Sequence, residues 1–387
     1  MSYSARHIME QLVSFPTVSR DTNLPLIDWV EGYLTEIGVT AHRMPKADDP
    51  TKHAIFCSVG PNVEGGIVLS GHTDVVPVDG QDWTSDPWTV TERDGKLFGR
   101  GTCDMKGFDA LAIHALQRAL KSDLKRPLQI ALSFDEEIGC AGAPPLIEAM
   151  AEAGFAKAQT AIIGEPSMMA CVTGHKGSTR FDIHVKGLEV HSSLMHTGVS
   201  AIMEAAKMIQ WANERNAENI AKTPSAIAGT FEPPWTTLHT GVIQGGTAAN
   251  ITAADCTFML EMRFVPDEDA DVWKDRVYAK AAEIEAEMQK VSPAAKITLT
   301  PKEDVPGLKP EADGAAEGLV RKITGDNGDH VVSYGTEAGH FQSAGISSVI
   351  CGPGSIEQAH QAVEFMSIAQ LEAGEAFVTI VIDDLCR

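Results

Sequence analysis

Ile67-Val68-Leu69-Ser70-Gly71-His72-Thr73-Asp74 carries the decisive pattern: a short apolar run of strand length, then small residues, then an imidazole and a carboxylate. A run of this kind bounded by turn residues reads as a strand buried on both faces, as in parallel sheets. The pattern recurs along the chain. Leu128-Gln129-Ile130-Ala131-Leu132 leads to Asp135-Glu136-Glu137, and Ala161-Ile162-Ile163 leads to Gly164-Glu165-Pro166. Val349-Ile350-Cys351 leads through Gly352-Pro353-Gly354-Ser355 to Ala359-His360. Phe108 to Leu120 and Pro145 to Ala153 have helical periodicity, and two amphipathic helices come before them, one bearing Ile8, Leu12 and Val13, the other running from Leu26 to Ile37 and closing at Gly38. Strands alternating with helices predict an α/β sheet covered by helices. Such sheets bind ligands beyond the carboxyl ends of their strands, which is where these acidic and imidazole groups fall.

From about Thr179 the pattern changes. Phe181 to Val185 alternates like a half-exposed strand, Ile202, Ala205, Ala206 and Ile209 mark a helix, and Thr236 to Ile243 and Cys256 to Phe264 read as two more strands. A helix with Trp273, Val277, Ile284 and Met288 on one face and a last strand, Lys296 to Thr300, complete the order β-α-β-β-α-β. That is the split-βαβ, ferredoxin-like arrangement. Residues 179–303 therefore read as an inserted α+β domain, with 1–178 and 304–387 forming the body around it and Pro306 and Pro310 on the return path.

Composition narrows the function. The 387 residues exceed what one core usually serves, so two domains are expected. Lys plus Arg number 31 against 53 Asp plus Glu, a balance of −22 that repels phosphate backbones and anionic lipid and argues against nucleic-acid or membrane partners. Seven cysteines without paired spacing read as reduced thiols and point to the cytoplasm. The first twenty residues lack an apolar targeting core, and no stretch has the length of a membrane span.

Each candidate site residue has an ordinary alternative. An isolated His-x-Asp such as His72-Thr73-Asp74 is more often a structural histidine with a turn aspartate, although such a carboxylate can also orient a metal-binding ring. Glu136-Glu137 could be a solvated helix start; at the end of a buried strand, one carboxylate can bind metal while its neighbour serves as general base. Gly99-Arg100-Gly101-Thr102-Cys103-Asp104-Met105-Lys106-Gly107 opens onto a helix, but it lacks the Walker spacing, and its central Asp104 would repel phosphate. Cys103 reads as a small packing residue. His72, Asp104, Glu137, Glu165 and His360 together form a nitrogen and oxygen donor set suited to zinc, cobalt or manganese.

Taken in order, Ser70 to Pro77, Gly99 to Gly107, Asp135-Glu136-Glu137, Gly164-Glu165-Pro166 and Ala359-His360 resemble the dinuclear metallohydrolases that include acetylornithine deacetylase, succinyl-diaminopimelate desuccinylase, aminoacylases and glutamate carboxypeptidase. The resemblance spans nearly the whole chain. It implies a mixed-sheet, dizinc-aminopeptidase-like catalytic domain with an inserted ferredoxin-like lid and dimerisation domain. By the same resemblance His72 and Glu165 bind one metal, Glu137 and His360 the other, and Asp104 bridges them, with zinc the leading metal and cobalt the second. Asp74 orients His72, and Glu136 is the general base. Gly187 to Ser193 resembles the lid motif whose histidine, here His191, reaches the other protomer's active site and stabilises the oxyanion, which implies a homodimer. Asn250 and Arg263 match positions that hold the substrate carboxylate, although Arg263 alone would read as a surface ion pair.

Within the family, Val75 to Trp83, Thr102-Cys103-Asp104, Tyr334 to Gly339 and Cys351 to Ile356 look like the deacetylase branch, which implies removal of an acetyl group from N2-acetyl-L-ornithine in arginine biosynthesis. Glu337 is expected to favour the cationic ornithine side chain, with a backbone-bracing role as the alternative. His340 departs from the apolar residue usual at its place in that branch. Desuccinylase, aminoacylase and carboxypeptidase activities are the alternatives within the class. A metal-free binding protein of the same fold is the alternative outside it.

Overall fold

The computed structural model describes residues 2–387. The chain begins with α1 (Ala5–Val13), α2 (Leu24–Glu36), β1 (Ala41–Lys46), β2 (Asp49–Val59), β3 (Gly66–His72), β4 (Thr91–Arg93), β5 (Lys96–Phe98), α3 (Lys106–Ala119), β6 (Leu128–Ser133), α4 (Ala143–Glu152), β7 (Ala158–Pro166) and β8 (Val172–His175). It continues with β9 (Gly177–Lys186), α5 (Ala201–Ala221), β10 (Thr237–His239), β11 (Ile243–Gly245), β12 (Asp255–Phe264), α6 (Ala270–Gln289) and β13 (Lys296–Val305). It closes with α7 (Ala315–Thr324), β14 (His330–Val332), α8 (Ala338–Ser343), β15 (Ser347–Gly352), β16 (Phe365–Ser367) and α9 (Ile368–Leu385). These elements fall into two compact units. One holds the residues up to Gly174 with Pro310–Val331 and Thr336–Arg387, the other His175–Lys309 with Val332–Gly335.

The first unit is built on an eight-stranded sheet of order β1-β2-β6-β3-β7-β15-β8-β14. Its centre is parallel: β3 runs alongside both β6 and β7, and β15 alongside β7. All residues of β3 and β6 are buried, the burial their unbroken apolar runs require. Packed on this sheet, α3 is covered on nearly every side by α1, α9 and β3, so Phe108, Leu111, Ile113 and Leu116 are buried around its whole circumference. The Ser4 hydroxyl caps α1 by accepting from the His7 N–H at 3.2 Å, and Ile8, Met9, Leu12 and Val13 pack inward. The antiparallel pair β1 and β2, the small sheet β16-β5-β4 and the closing helix α9 were not anticipated from the sequence.

The second unit is an antiparallel sheet of order β10-β12-β9-β13 with β11 also on β12, carrying α5 and α6. Alternate residues of β9 and β12 are buried, among them Phe181, Ile183, Val185, Leu260 and Met262, and they pack with Met208, Trp273, Val277 and Ile284. This is the expected ferredoxin-like topology. The single strand expected over 236–243 is instead two short strands. His239 pairs with Glu261 and Ile243 with Phe258, so residues 240–242 oppose only 259–260; one extra residue makes a bulge that interrupts the ladder. The unit is wider than 179–303 because β9 starts at Gly177, β13 runs to Val305, and Val332–Gly335 joins it. Pro301 is accommodated because β13 is an edge strand paired on one side with β9. Among the described residues no helix is long and apolar enough to cross a membrane.

Close packing beside the strand ends depends on Gly164. A Cβ there would lie 1.9 Å from Cγ of the buried Phe108 ring, which is enclosed and has no room to withdraw. Gly164→Ala is expected to destabilise the protein by about 1–3 kcal/mol, measured by urea unfolding, as overpacked cores do.

Candidate metal centre

The parallel order β6-β3-β7-β15 brings four strand ends to one edge of the first unit. His72 is the last residue of β3, Glu136 and Glu137 follow β6 after Phe134 and Asp135, Glu165 is next to last in β7, and His360 lies on the loop after β15. Asp104 reaches the same edge from the loop between β5 and α3. Its carboxylate lies between the two imidazoles: Oδ1 is 3.2 Å from His72 Nε2 and Oδ2 is 3.2 Å from His360 Nε2. His360 Nε2 is also 3.0 Å from Glu137 Oε2, and His72 Nε2 is 3.7 Å from Glu165 Oε1 and 3.9 Å from Glu136 Oε2. Donor atoms of His72, Glu136 and Glu165, and likewise of His72, Asp104 and Glu137, lie within 4.8 Å of one another. Proximity alone would admit Glu136 as a ligand too.

The chemistry of the set fits divalent metal. The ion-pair partners of these buried carboxylates are imidazoles, and Glu137 Oε1 is buried without a hydrogen-bond partner. An orphaned carboxylate oxygen in such a place calls for a cation.

Burial and crowding redistribute charge within the cluster. Burial, reinforced by the carboxylates of Glu137, Glu337 and Asp104, raises Glu136 to about 8 against the pull of His72. Burial and Asp104 raise Glu137 to about 7, and burial with the Asp104 and Glu136 charges raises Glu165 well above the usual range. Burial opposes the charged form of His72, yet hydrogen bonds to Asp104 and Asp74 carry it well above its usual value. Hydrogen bonds to Asp104 and Glu137 lift His360 to about 10. Asp104 stays below the ordinary carboxylate range because the two imidazoles outweigh its burial.

Supporting contacts set the geometry, and some of them differ from expectation. The Asp74 carboxylate was expected to orient the His72 ring. The nearer acceptor to Nδ1 is instead the Asp74 main-chain carbonyl at 2.9 Å, with the carboxylate at 3.6 Å. The carboxylate also holds the main chain: Oδ1 accepts from the Glu136 N–H at 3.1 Å, and Oδ2 accepts from the Glu137 N–H at 3.3 Å and the Ser19 hydroxyl at 2.7 Å. Asp135 adopts a left-handed backbone (φ 56°), and its buried carboxylate is held by Lys52 at 2.6 Å and Lys46 at 2.9 Å. The Cys140 thiol donates to Glu136 Oε1 at 3.2 Å. Ser19, Lys46, Lys52, Asp135 and Cys140 were all missed from sequence. Only Asp135 carried a signal, its place next to the glutamate pair. Cys103 is buried with its thiol pKa raised by burial, in keeping with a packing role.

Glu337 carries two expectations, a partner for a cationic substrate side chain and a backbone brace. It is buried beneath the strand ends, where Oε2 accepts from Ser70 at 3.2 Å and Oε1 from Ser133, and burial lifts it to about 7. A carboxyl engaged by two hydroxyls braces β3 against β6, which supports the bracing alternative.

His191, Asn250 and Arg263 belong to the second unit. His191 is exposed and caps a 3-10 turn over Ser192–Thr197, its Nδ1 accepting from the Ser193 N–H at 3.2 Å. Exposed Asn250 lies beside it, its carbonyl accepting from the Ser192 N–H at 2.8 Å. Arg263, on β12, pairs with Glu261 at 2.7 Å and remains partly exposed.

Imidazoles and largely buried carboxylates converging on a parallel-sheet edge fit the centre of a metal-dependent hydrolase. The family model described as peptidase family M20/M25/M40 matches residues 68–384, and the chain belongs to that family; it is a metal-dependent amidohydrolase. It is 34% identical over 390 residues to acetylornithine deacetylase of Myxococcus xanthus, covering 98% of this chain and 97% of that one. The acetylornithine deacetylase of Proteus mirabilis is 32% identical over 388 residues, covering 98% and 96%. Among solved structures, an M20 family metallo-carboxypeptidase from Sulfolobus solfataricus shares the fold with a TM-score of 0.77 at 15% identity, over 98% of this chain and 100% of that one.

Metal ligands must be deprotonated, whereas His360 carries its proton to about pH 10 in the metal-free cluster. Loading the apoprotein near pH 7 is therefore expected to release protons, and affinity should rise with pH. Calorimetry of zinc binding in two buffers of different ionisation enthalpy measures the release; equal heats in both would contradict it.

Proposed function

We propose that the protein removes the acetyl group from N2-acetyl-L-ornithine, adding water across the amide bond to give L-ornithine and acetate, a step of arginine biosynthesis. The observation that carries this reading is the buried cluster centred on Asp104, together with full-length similarity to proteins named for that reaction. In the proposal His72 and Glu165 would hold one divalent ion, Glu137 and His360 would hold the other, and Asp104 would serve both. Zinc is the leading metal and cobalt the second, since both accept this donor set. Metal bound there would supply Lewis acidity to the attacking water and the scissile carbonyl.

The chain's own residues do the remaining work. Glu136 takes a proton from the attacking water and delivers it to the departing amine nitrogen. Asp74 keeps the Glu136 and Glu137 backbones in place. Arg263 and Asn250 bind the substrate carboxylate, for which a guanidinium fork is suited. His191, exposed on the second unit, stabilises the developing oxyanion of the partner subunit's site, so the working form is a homodimer with this unit as lid and dimerisation domain. Seven free cysteines support a cytoplasmic setting.

The decisive test is a screen of zinc- and cobalt-reconstituted protein against N-acyl amino acids with acetate release as the readout. N2-acetyl-L-ornithine should be the preferred substrate, and preference for an N-succinyl compound or a dipeptide would overturn the assignment. Glu136→Ala should retain both metals and lose about 10²–10⁴-fold in turnover. His191→Ala should lose about 10²–10³-fold with metal content intact; unchanged turnover would remove His191 from the mechanism.

A further inference from the structure

A hydrogen-bonded circuit, buried at Glu364 and Arg100, links two of the ligand residues through their backbones. Glu364 is wholly buried, and Arg100 is 1% exposed. Glu364 Oε1 accepts from the N–H groups of Cys103 at 2.9 Å and Asp104 at 3.0 Å, while Oε2 accepts from Arg100 Nη1 at 2.6 Å. Arg100 Nη2 then donates to Gln81 Oε1 at 2.6 Å, and Gln81 Nε2 donates to the main-chain carbonyl of His360 at 3.0 Å. Trp83 Nε1 steadies the same Gln81 oxygen at 3.0 Å, and the Glu364 carbonyl accepts from the Gly99 N–H at 3.1 Å.

His360 has reason to need such a tether. Its side chain is 53% exposed, it sits on an irregular loop, and its φ of +63° is one that non-glycine residues rarely adopt. Asp104 likewise lies on a loop, not a strand. A buried ion pair adds little net stability compared with apolar packing of the same shape, so this one is better explained by the two loops it aligns. We propose that Arg100 and Glu364, acting through Gln81, are positioning residues that keep Asp104 and His360 at metal-binding distance, and that losing them weakens metal binding most at the Glu137 and His360 half of the centre, which depends on both tethered residues. This inference rests on the ligand reading given above. Positioning contacts of this kind usually contribute about 10–100-fold in metal affinity.

The test is titration of full-length apoprotein with Co²⁺, followed by its visible absorption and by equilibrium dialysis. The wild-type protein should bind two ions per chain. Glu364→Gln and Arg100→Met should each weaken one binding step by about tenfold or more and the other, which shares only Asp104, by less. The double variant should lose no more than the worse single variant, because both act through one circuit. His360→Ala, titrated in parallel, separates the two readings. If it retains two tight ions, the ligand assignment fails. If it loses one while Glu364→Gln binds both as tightly as wild type, the ligand assignment stands and the positioning role is overturned. Should removal of the buried pair prevent folding, Gln81→Met, partly exposed and outside that pair, breaks the last link to His360. Weakening of the same step supports the proposal, and unchanged affinity refutes it.

Discussion

Four carboxylates, from Asp104, Glu136, Glu137 and Glu165, are forced together in a buried place with two imidazoles as their ion-pair partners. Like charges at this spacing repel strongly once water is removed. Two outlets relieve that repulsion, protonation and partial neutralisation by His72 and His360, and the upward shifts of Glu136, Glu137 and His360 run in those directions. Divalent cations discharge the same strain more completely. The rest of the first unit holds this arrangement against its own repulsion.

Two layers of structure do so. The parallel strands β3, β6, β7 and β15 set the direction of approach, since their shared polarity brings every carboxyl end to one edge. A layer of buried polar contacts then fixes the loops beyond those ends. Asp74 takes the N–H groups of Glu136 and Glu137, Lys46 and Lys52 clamp Asp135 one residue earlier, Ser70 and Ser133 brace Glu337, and Glu364 with Arg100 holds the Asp104 loop. Members of the family include peptidases as well as deacetylases, so the fold by itself does not choose a substrate.

Much of the centre was legible because a buried strand announces itself as an apolar run, and polar residues placed just past its end have few ordinary reasons to be there. His72, Glu136, Glu137, Glu165 and His360 share that position, and Asp104 is marked by its glycine-punctuated loop. The ferredoxin-like order of the second unit was legible for the same reason, its strands alternating cleanly against two periodic helices. Other elements carried no comparable signal. β1 and β2 contain Pro45 and Pro50 with several charges, so their pairing depends on the sheet they join. The bulge between β10 and β11 is a matter of register, invisible until both strands are aligned on β12.

The sequence by itself determined which side chains meet at the sheet edge, since strand burial and chain polarity follow from local pattern. It could not tell which partner each polar atom would take. The Asp74 carboxylate, 3.6 Å from the His72 ring, also bonds main-chain N–H groups, Glu337 braces two hydroxyls behind the cluster, and Glu364 reaches back some 260 residues to the backbone of Asp104. Only the tertiary structure decided these. A hydrogen bond depends on tenths of an ångström and on direction, and for residues far apart in the chain both are set by how the whole unit packs.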